Sequence, residues 1–232
     1  MTFRLATVLV IVAGCGRFQF DETRPVPGID AALDAGVDVP TTVAPIHRYR
    51  LAGTFVDDLR GPSIDPLGGG FITGGYTFAA NQGLALSNAS PITTYTIDIK
   101  FAFSTIGGYR KLLDFKALTT DEGLYVFDET LQFVIVASNA TVVTSPPLFS
   151  ADTMAEVTLT RDAAGMVTGY VNKASQIAYL DISSVAEFTH AGHVANFGVD
   201  DNATGQLEAS GGVISEITIW DVALTPAEVA AL

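Results

Sequence analysis

What this sequence lacks narrows it before any motif is read. A single cysteine in 232 residues rules out an internal disulfide framework. Lys and Arg number only 12 against 25 Asp and Glu, a formal net charge of -13 at pH 7. Such a surface repels a phosphate backbone, so nucleic acid is not an expected partner. No apolar run approaches the roughly 20 residues of a membrane-spanning helix. A strand with the closely spaced carboxylates of a glycosidase, Glu-x-Asp-x-x-Glu, is missing, because no Glu here is followed by Asp two residues later. Gly-x-Ser-x-Gly is missing too, which removes local support for a serine nucleophile. His190 and His193 have neither a cysteine nor a spaced third histidine with them, so they read as loop residues, not zinc ligands. The chain is not expected to be an enzyme.

What is present is core-forming material. Hydrophobic residues make up 48% and aromatics 9%, against 16% charged, a balance suited to a folded domain and unlike disorder. The length fits one large β domain.

The N-terminus reads as an address. Arg4 precedes a short apolar run at residues 5–12, followed by Val12-Ala13-Gly14-Cys15, a signal-peptide pattern too short for a mature membrane span. Val-Ala-Gly-Cys resembles a bacterial lipobox. That resemblance implies that residues 1–14 are a lipoprotein signal peptide and that Cys15 is the lipidated first residue of the mature protein. It also implies export, with Gly16 and Arg17 permitting transfer to the outer membrane or cell surface. Residues 15–46, with Pro, Gly, Ala and Asp scattered and no sustained period, read as a flexible tether.

Residues 47–232 read as the globular domain. The clearest strand is 95–103, with Tyr95, Ile97, Ile99, Phe101 and Phe103 on one face and Thr96, Asp98 and Lys100 on the other; five large side chains on one face require a second sheet to cover them. Asp98 is the best-placed carboxylate on the polar face. Further strands are expected at 47–55, 71–78, 83–86, 109–116, 124–127, 131–137, 155–161, 166–172, 176–181 and 213–220. They are separated by Gly, Pro, Asn and Asp turns at the spacing of an all-β sandwich. Thr225-Pro226-Ala227-Glu228 supplies a capping threonine, a proline in the first turn and a Glu three residues on, which predicts a short C-terminal helix. Trp220 has the strand parity of Glu216 and Thr218, and is expected to lie beneath that helix.

Three stretches together resemble the laminin-G-like, or concanavalin-A-like, jelly-roll domains of bacterial surface proteins. They are residues 109–125 (YRKLLDFKALTTDEGLY), 157–172 (VTLTRDAAGMVTGYVN) and 197–232, the last with DDNATG, EASGG, ITIWD and ALTPAEVAAL. The resemblance implies an antiparallel two-sheet β-sandwich of jelly-roll type. It departs where Tyr-Val-Asn-Gly becomes Tyr170-Val171-Asn172-Lys173, which removes the glycine that eases a two-residue turn, and where an acidic position before Glu216 is Ser215.

The loop Asp200-Asp201-Asn202-Ala203-Thr204-Gly205, with Glu208 after it, gathers hard oxygen donors on a bend, and calcium takes six to eight such oxygens. Related domains often hold calcium at the sandwich rim, which extends the expected metal site to Asp121. Calcium is therefore the expected cofactor, on Asp200, Asp201, Asn202, Glu208 and Asp121. The alternative is that Asp200, Asp201 and Asn202 cap a turn with local hydrogen bonds. The function expected is a lipid-anchored surface protein that binds a glycan or another surface protein. A structural or adhesion module without a small ligand, or a degenerate glycoside hydrolase, is the alternative.

Overall fold

The structure is a computed structural model, which describes residues 43–87, 93–136, 140–143, 147–188 and 194–232. The signal peptide, Cys15, most of the tether and the two histidines at 190 and 193 lie outside the described residues. The chain divides into two units, Met1–Val39 and Pro40–Leu232, and the second contains every described residue.

That second unit is the expected antiparallel β-sandwich. In chain order its strands are β1 (His47–Tyr49), β2 (Asp65–Pro66), β3 (Gly70–Ile72), β4 (Gly75–Phe78), β5 (Leu84–Leu86), β6 (Tyr95–Phe103), β7 (Tyr109–Asp114) and β8 (Gly123–Phe127). There follow β9 (Thr130–Ile135), β10 (Ala140–Val143), β11 (Ala155–Arg161), β12 (Met166–Val171), β13 (Ala174–Leu180), β14 (Ala195–Phe197) and β15 (Gly212–Trp220), then the helix α1 (Pro226–Ala230). One sheet runs β13-β12-β11-β6-β15-β4-β3, with β1 also paired to β15; the other runs β10-β9-β8-β7-β14-β5-β2.

The central strand β6 shows why the sheets pair. Tyr95, Ile97, Ile99, Phe101 and Phe103 are at most 2% exposed and join a core with Leu112, Phe115, Leu124, Phe133, Phe197 and Ile217 from both sheets. Removing that much apolar surface from water is the main driving force of the fold. The opposite face of β6 is only partly open to solvent. Thr96 and Asp98 on that face are buried as well, because other elements cover its first half.

The cover is the C-terminal latch. Trp220, Tyr170, Leu224 and Val229 form a second small apolar cluster, and the Trp220 indole N–H donates to the Val43 carbonyl at 3.0 Å. Thr96 ties the latch down: its hydroxyl donates to the Val222 carbonyl at 2.9 Å and accepts from the Leu224 N–H at 2.8 Å. The capping box at Thr225 and Glu228 is formed as expected, a device that contributes on the order of 1 kcal/mol.

Four sequence expectations change in detail. The sandwich starts ahead of His47, since Ile46 N–H bonds to the Ile219 carbonyl and Val43 meets Trp220. The strand expected at 71–78 is a hairpin, β3 to β4, because Gly74 and Gly75 take positive φ. The expected strand 47–55 stops at Tyr49: Leu51 takes a φ of 48°, and the chain turns away toward Asp57, whose carboxylate accepts the Arg48, Leu59 and Gly61 N–H groups. The two-residue turn between β12 and β13 is made without glycine. Asn172 and Lys173 both take positive φ, 46° and 70°, as that turn geometry demands, and Val171 pairs with Ala174 across it.

Candidate functional site

Two of the regions that gather charged side chains among the described residues are treated differently by the fold. The first is the rim around the late loop. β7 carries Lys111 to the loop side, and β8 begins beside it at Gly123, where a Cβ would meet the Leu113 carbonyl at 2.4 Å. The lysine is fully buried. Its ammonium lies 2.5 Å from Asp201 Oδ2 and 3.7 Å from Asp114 Oδ2, donates to the Thr120 carbonyl at 3.2 Å and stands 5.1 Å from the centre of the Tyr125 ring. The Tyr125 hydroxyl donates to Asp121 Oδ1 at 2.6 Å.

The loop carboxylates are used internally. Asp201 Oδ1 accepts the Ala203 and Thr204 N–H groups at 2.6 and 3.2 Å. Asp200 accepts the Asp201 N–H through Oδ1, and the Glu208 N–H and Thr204 hydroxyl through Oδ2. Asn202 is exposed and its amide donates to the Leu118 carbonyl. Burial pushes the Asp201 carboxyl up, but the Lys111 ammonium and the turn N–H groups outweigh it and hold the group below the usual range. Asp200 is pushed up by burial. Glu208 is raised to about 7, first by burial and then by Asp121 and Asp200 beside it; its Oε2 is buried without a hydrogen-bond partner.

The structure thus brings Asp121, Asp200, Asp201 and Glu208 to one rim, with Asn202 on its outer edge. The donor set does not fit a calcium ion as arranged. Among the described residues no group of three or more acidic, His or Cys side chains is placed to hold a metal, and the Asp200 and Asp201 oxygens already face N–H, hydroxyl and ammonium donors. The Lys111 ammonium sits among these oxygens as their cation. The turn-capping reading of Asp200 and Asp201 describes what these residues do.

The second region lies on the outer face of the β6 sheet, beyond the edge of the latch. Strand register sets its rows. Thr218, Asp98, Thr158 and Tyr170 face one another across β15, β6, β11 and β12; one row further, Glu216, Lys100 and Glu156 do the same. A register shift in β15 at Ser215 brings its hydroxyl to the Lys100 carbonyl at 3.3 Å. The row opens into a groove of about 240 Å³ lined by Lys100, Met154, Ala155, Glu156, Asn172 and Ser215.

Its chemistry is less complete than that of the rim. Lys100 Nζ lies 3.0 Å from Glu216 Oε1. Burial would lower the Lys100 pKa, but Glu216, Asp98 and Glu156 together raise it. Asn172 Oδ1 accepts the Glu156 N–H at 3.1 Å, which fixes the amide and leaves its NH₂ toward solvent. Glu156 Oε1 is buried and has no hydrogen-bond partner. Met154 is 49% exposed and provides an apolar surface. Asp98, beneath, is 3% exposed and accepts from the Thr158 hydroxyl at 2.7 Å; burial first, then Glu156 and Glu216, push it up to about 7.

Sequence reasoning found the polar face of β6 through Thr96, Asp98 and Lys100, but not Glu156, Asn172, Glu216 or Ser215 as its neighbours. The alternation of Glu156, Thr158 and Thr160 in β11 was a usable signal. Which strands flank β6 is a matter of topology and was not.

No family model and no curated protein matches this chain. Solved structures do, at the level of fold. Domain 4 of AbnA, an extracellular arabinanase of Geobacillus stearothermophilus in complex with arabinotriose, is 13% identical, with 82% of this chain and 98% of that chain covered and a TM-score of 0.58. The botulinum neurotoxin serotype D binding domain is 11% identical, with a TM-score of 0.60 over 81% of this chain and 51% of that one. The CBM40 of the Ruminococcus gnavus IT-sialidase, bound to α2,3-sialyllactose, is 13% identical, with a TM-score of 0.51 over 67% and 95%. At these identities the likeness is one of β-sandwich architecture.

Proposed function

We propose that the sandwich is a carbohydrate-binding module and that the groove at Lys100, Glu156, Asn172 and Ser215 is its sugar site. The observation that carries the reading is an open groove in which the half-buried Glu156 stands with Lys100, Asn172 and Ser215 beside the exposed Met154. The Glu156 carboxylate offers the groove an acceptor. Around it stand the Lys100 ammonium, the Asn172 amide and the Ser215 hydroxyl, the mixed donors and acceptors that sugar hydroxyls require. Lys100 and Ser215 sit on the paired strands β6 and β15, and Asn172 on the tight turn between β12 and β13. Support from outside the chain is that two of the three neighbours described above, the arabinanase domain and the CBM40, are named with an oligosaccharide bound.

The module acts without catalysis in this reading. Asp98 has the raised pKa of a proton donor, but it is buried under Thr158 and out of a substrate's reach. Calcium is not required at the groove, and the rim keeps its own cation in Lys111. Lipid attachment at Cys15 and export to the outer membrane or cell surface complete the proposal: the tether would hold the groove away from the bilayer. A Cys15→Ala protein is expected in the soluble fraction, and membrane partitioning equal to wild type would overturn the anchor.

The direct test is a glycan array probed with wild type and Glu156→Ala. Binding to at least one oligosaccharide class, reduced about tenfold or more in the variant, is the expected result. An array with no bound glycan, together with capture of a surface protein through the same residues, would favour the protein-binding alternative.

A further inference from the structure

The charge of the groove says which sugars it can take. Lys100 and Glu216 are paired at 3.0 Å and cancel. Glu156 remains, and among the described residues no second cation lines the groove. Asp98 stands one row away on the same face, close enough for Glu156 and Glu216 to act on its ionisation, so it adds a fractional negative charge near neutral pH. The whole chain carries -13, which extends the same sign of potential beyond the groove.

Resting on the carbohydrate-binding reading, we propose that this groove selects uncharged or amino sugars and discriminates against carboxylated ones, sialic and uronic acids among them. An ionised carboxylate is an acceptor only. Glu156 therefore wants a hydroxyl or, better, an ammonium, since a charge-assisted bond is about twice as strong as a neutral one. A ligand carboxylate in its place would add an acceptor to an acceptor and a like charge in a partly desolvated groove. Its natural partner, Lys100, is neutralised by Glu216, so its remaining N–H groups can still bond a hydroxyl but bring little net positive charge to a carboxylate. The Asn172 amide then donates to a ring or hydroxyl oxygen, and Met154 covers the sugar's apolar face.

Matched ligands test this. Titrations of the full chain at about 0.15 M salt, where screening reaches roughly 8 Å, would compare lactose with α2,3-sialyllactose, and a β-1,4-N-acetylglucosamine tetramer with its deacetylated form. The expected result is that α2,3-sialyllactose binds about tenfold or more weakly than lactose, and that the deacetylated oligomer binds at least as well as the acetylated one. In Glu156→Gln, checked for unchanged folding by circular dichroism, the ratio between lactose and sialyllactose is expected to narrow severalfold.

Equal or tighter binding of sialyllactose, still weakened in Glu156→Ala, would overturn the selectivity while leaving the sugar site standing. An unchanged ratio in Glu156→Gln would overturn the role given to Glu156. Absence of binding to all four and to a wider array would overturn the carbohydrate reading and the selectivity with it.

Discussion

The rim at Lys111 and the groove at Lys100 are built from the same materials, one lysine among several carboxylates on adjoining strands, and they come out as opposites. At the rim the lysine side chain is wholly buried, and Asp200 and Asp201 are consumed by backbone N–H groups, a hydroxyl and the ammonium. At the groove the lysine side chain is 40% exposed, and Glu156, Asn172 and Ser215 line an open cleft with it. A cluster of carboxylates in a sequence therefore says little about ligand binding until the donors already facing them are known. The charges of the rim face one another inside the protein, whereas those of the groove line a cleft open to solvent.

The difference predicts unequal responses to the same substitution. Lys111→Met should be the most damaging change, because it leaves Asp201 and Asp114 buried without their cation; breaking a buried pair in this way costs about 3–5 kcal/mol. Urea denaturation would read it. Lys100→Met should cost less than about 1 kcal/mol, as exposed pairs do. Equal losses would break the contrast.

The pH dependence of stability separates the regions next. Asp98 and Glu208 have folded pKa values raised to about 7, above their unfolded values near 4. The unfolded chain therefore binds fewer protons between these limits, and stability should fall as pH rises from about 4 to about 7, then level off. Asp98 is the more deeply buried of the two. Asp98→Asn should remove most of that slope, a matter of about 4 kcal/mol across the range, and Glu208→Gln a smaller part. In the opposite direction, Asp201, whose pKa is lowered, supports the fold above pH 4 and withdraws that support as pH falls further. A flat stability profile from pH 4 to 7 would contradict the burial assigned to Asp98.

Smaller still is the effect of calcium. Anything that binds the native state stabilises it by mass action; with Lys111 in place, melting in chelator and in millimolar calcium should agree within about 1 °C. A larger shift would mean that the rim accepts a metal after all.

How much of this was legible in the sequence follows from the same contrast. The alternation of residues 95–103 identified the core face of β6, because period 2 is a local property, and Thr225 through Glu228 announced the helix for the same reason. Trp220 beneath the helix followed from parity together with that helix. What failed to show was the company each residue keeps. Asp200, Asp201, Asp121 and Glu208 were grouped from the sequence as calcium ligands, but Lys111, ninety residues before Asp201, gave no local sign that it would enter among them. Glu156 and Glu216 flank Lys100 only because β11 and β15 flank β6, an arrangement set by long-range pairing. The tight turn at Asn172-Lys173 was not expected without glycine, and strand pairing on both sides imposes it.

The claim that binding belongs to the groove and structure to the rim has one direct test. Wild type, Glu156→Ala and Asn202→Ala, each confirmed to melt within a few degrees of the others, would be compared on one array of uncharged, amino and carboxylated oligosaccharides. Loss of about tenfold or more in Glu156→Ala, with Asn202→Ala binding as wild type, is the predicted result. Loss in Asn202→Ala with Glu156→Ala unaffected would contradict it and return the ligand site to the late loop.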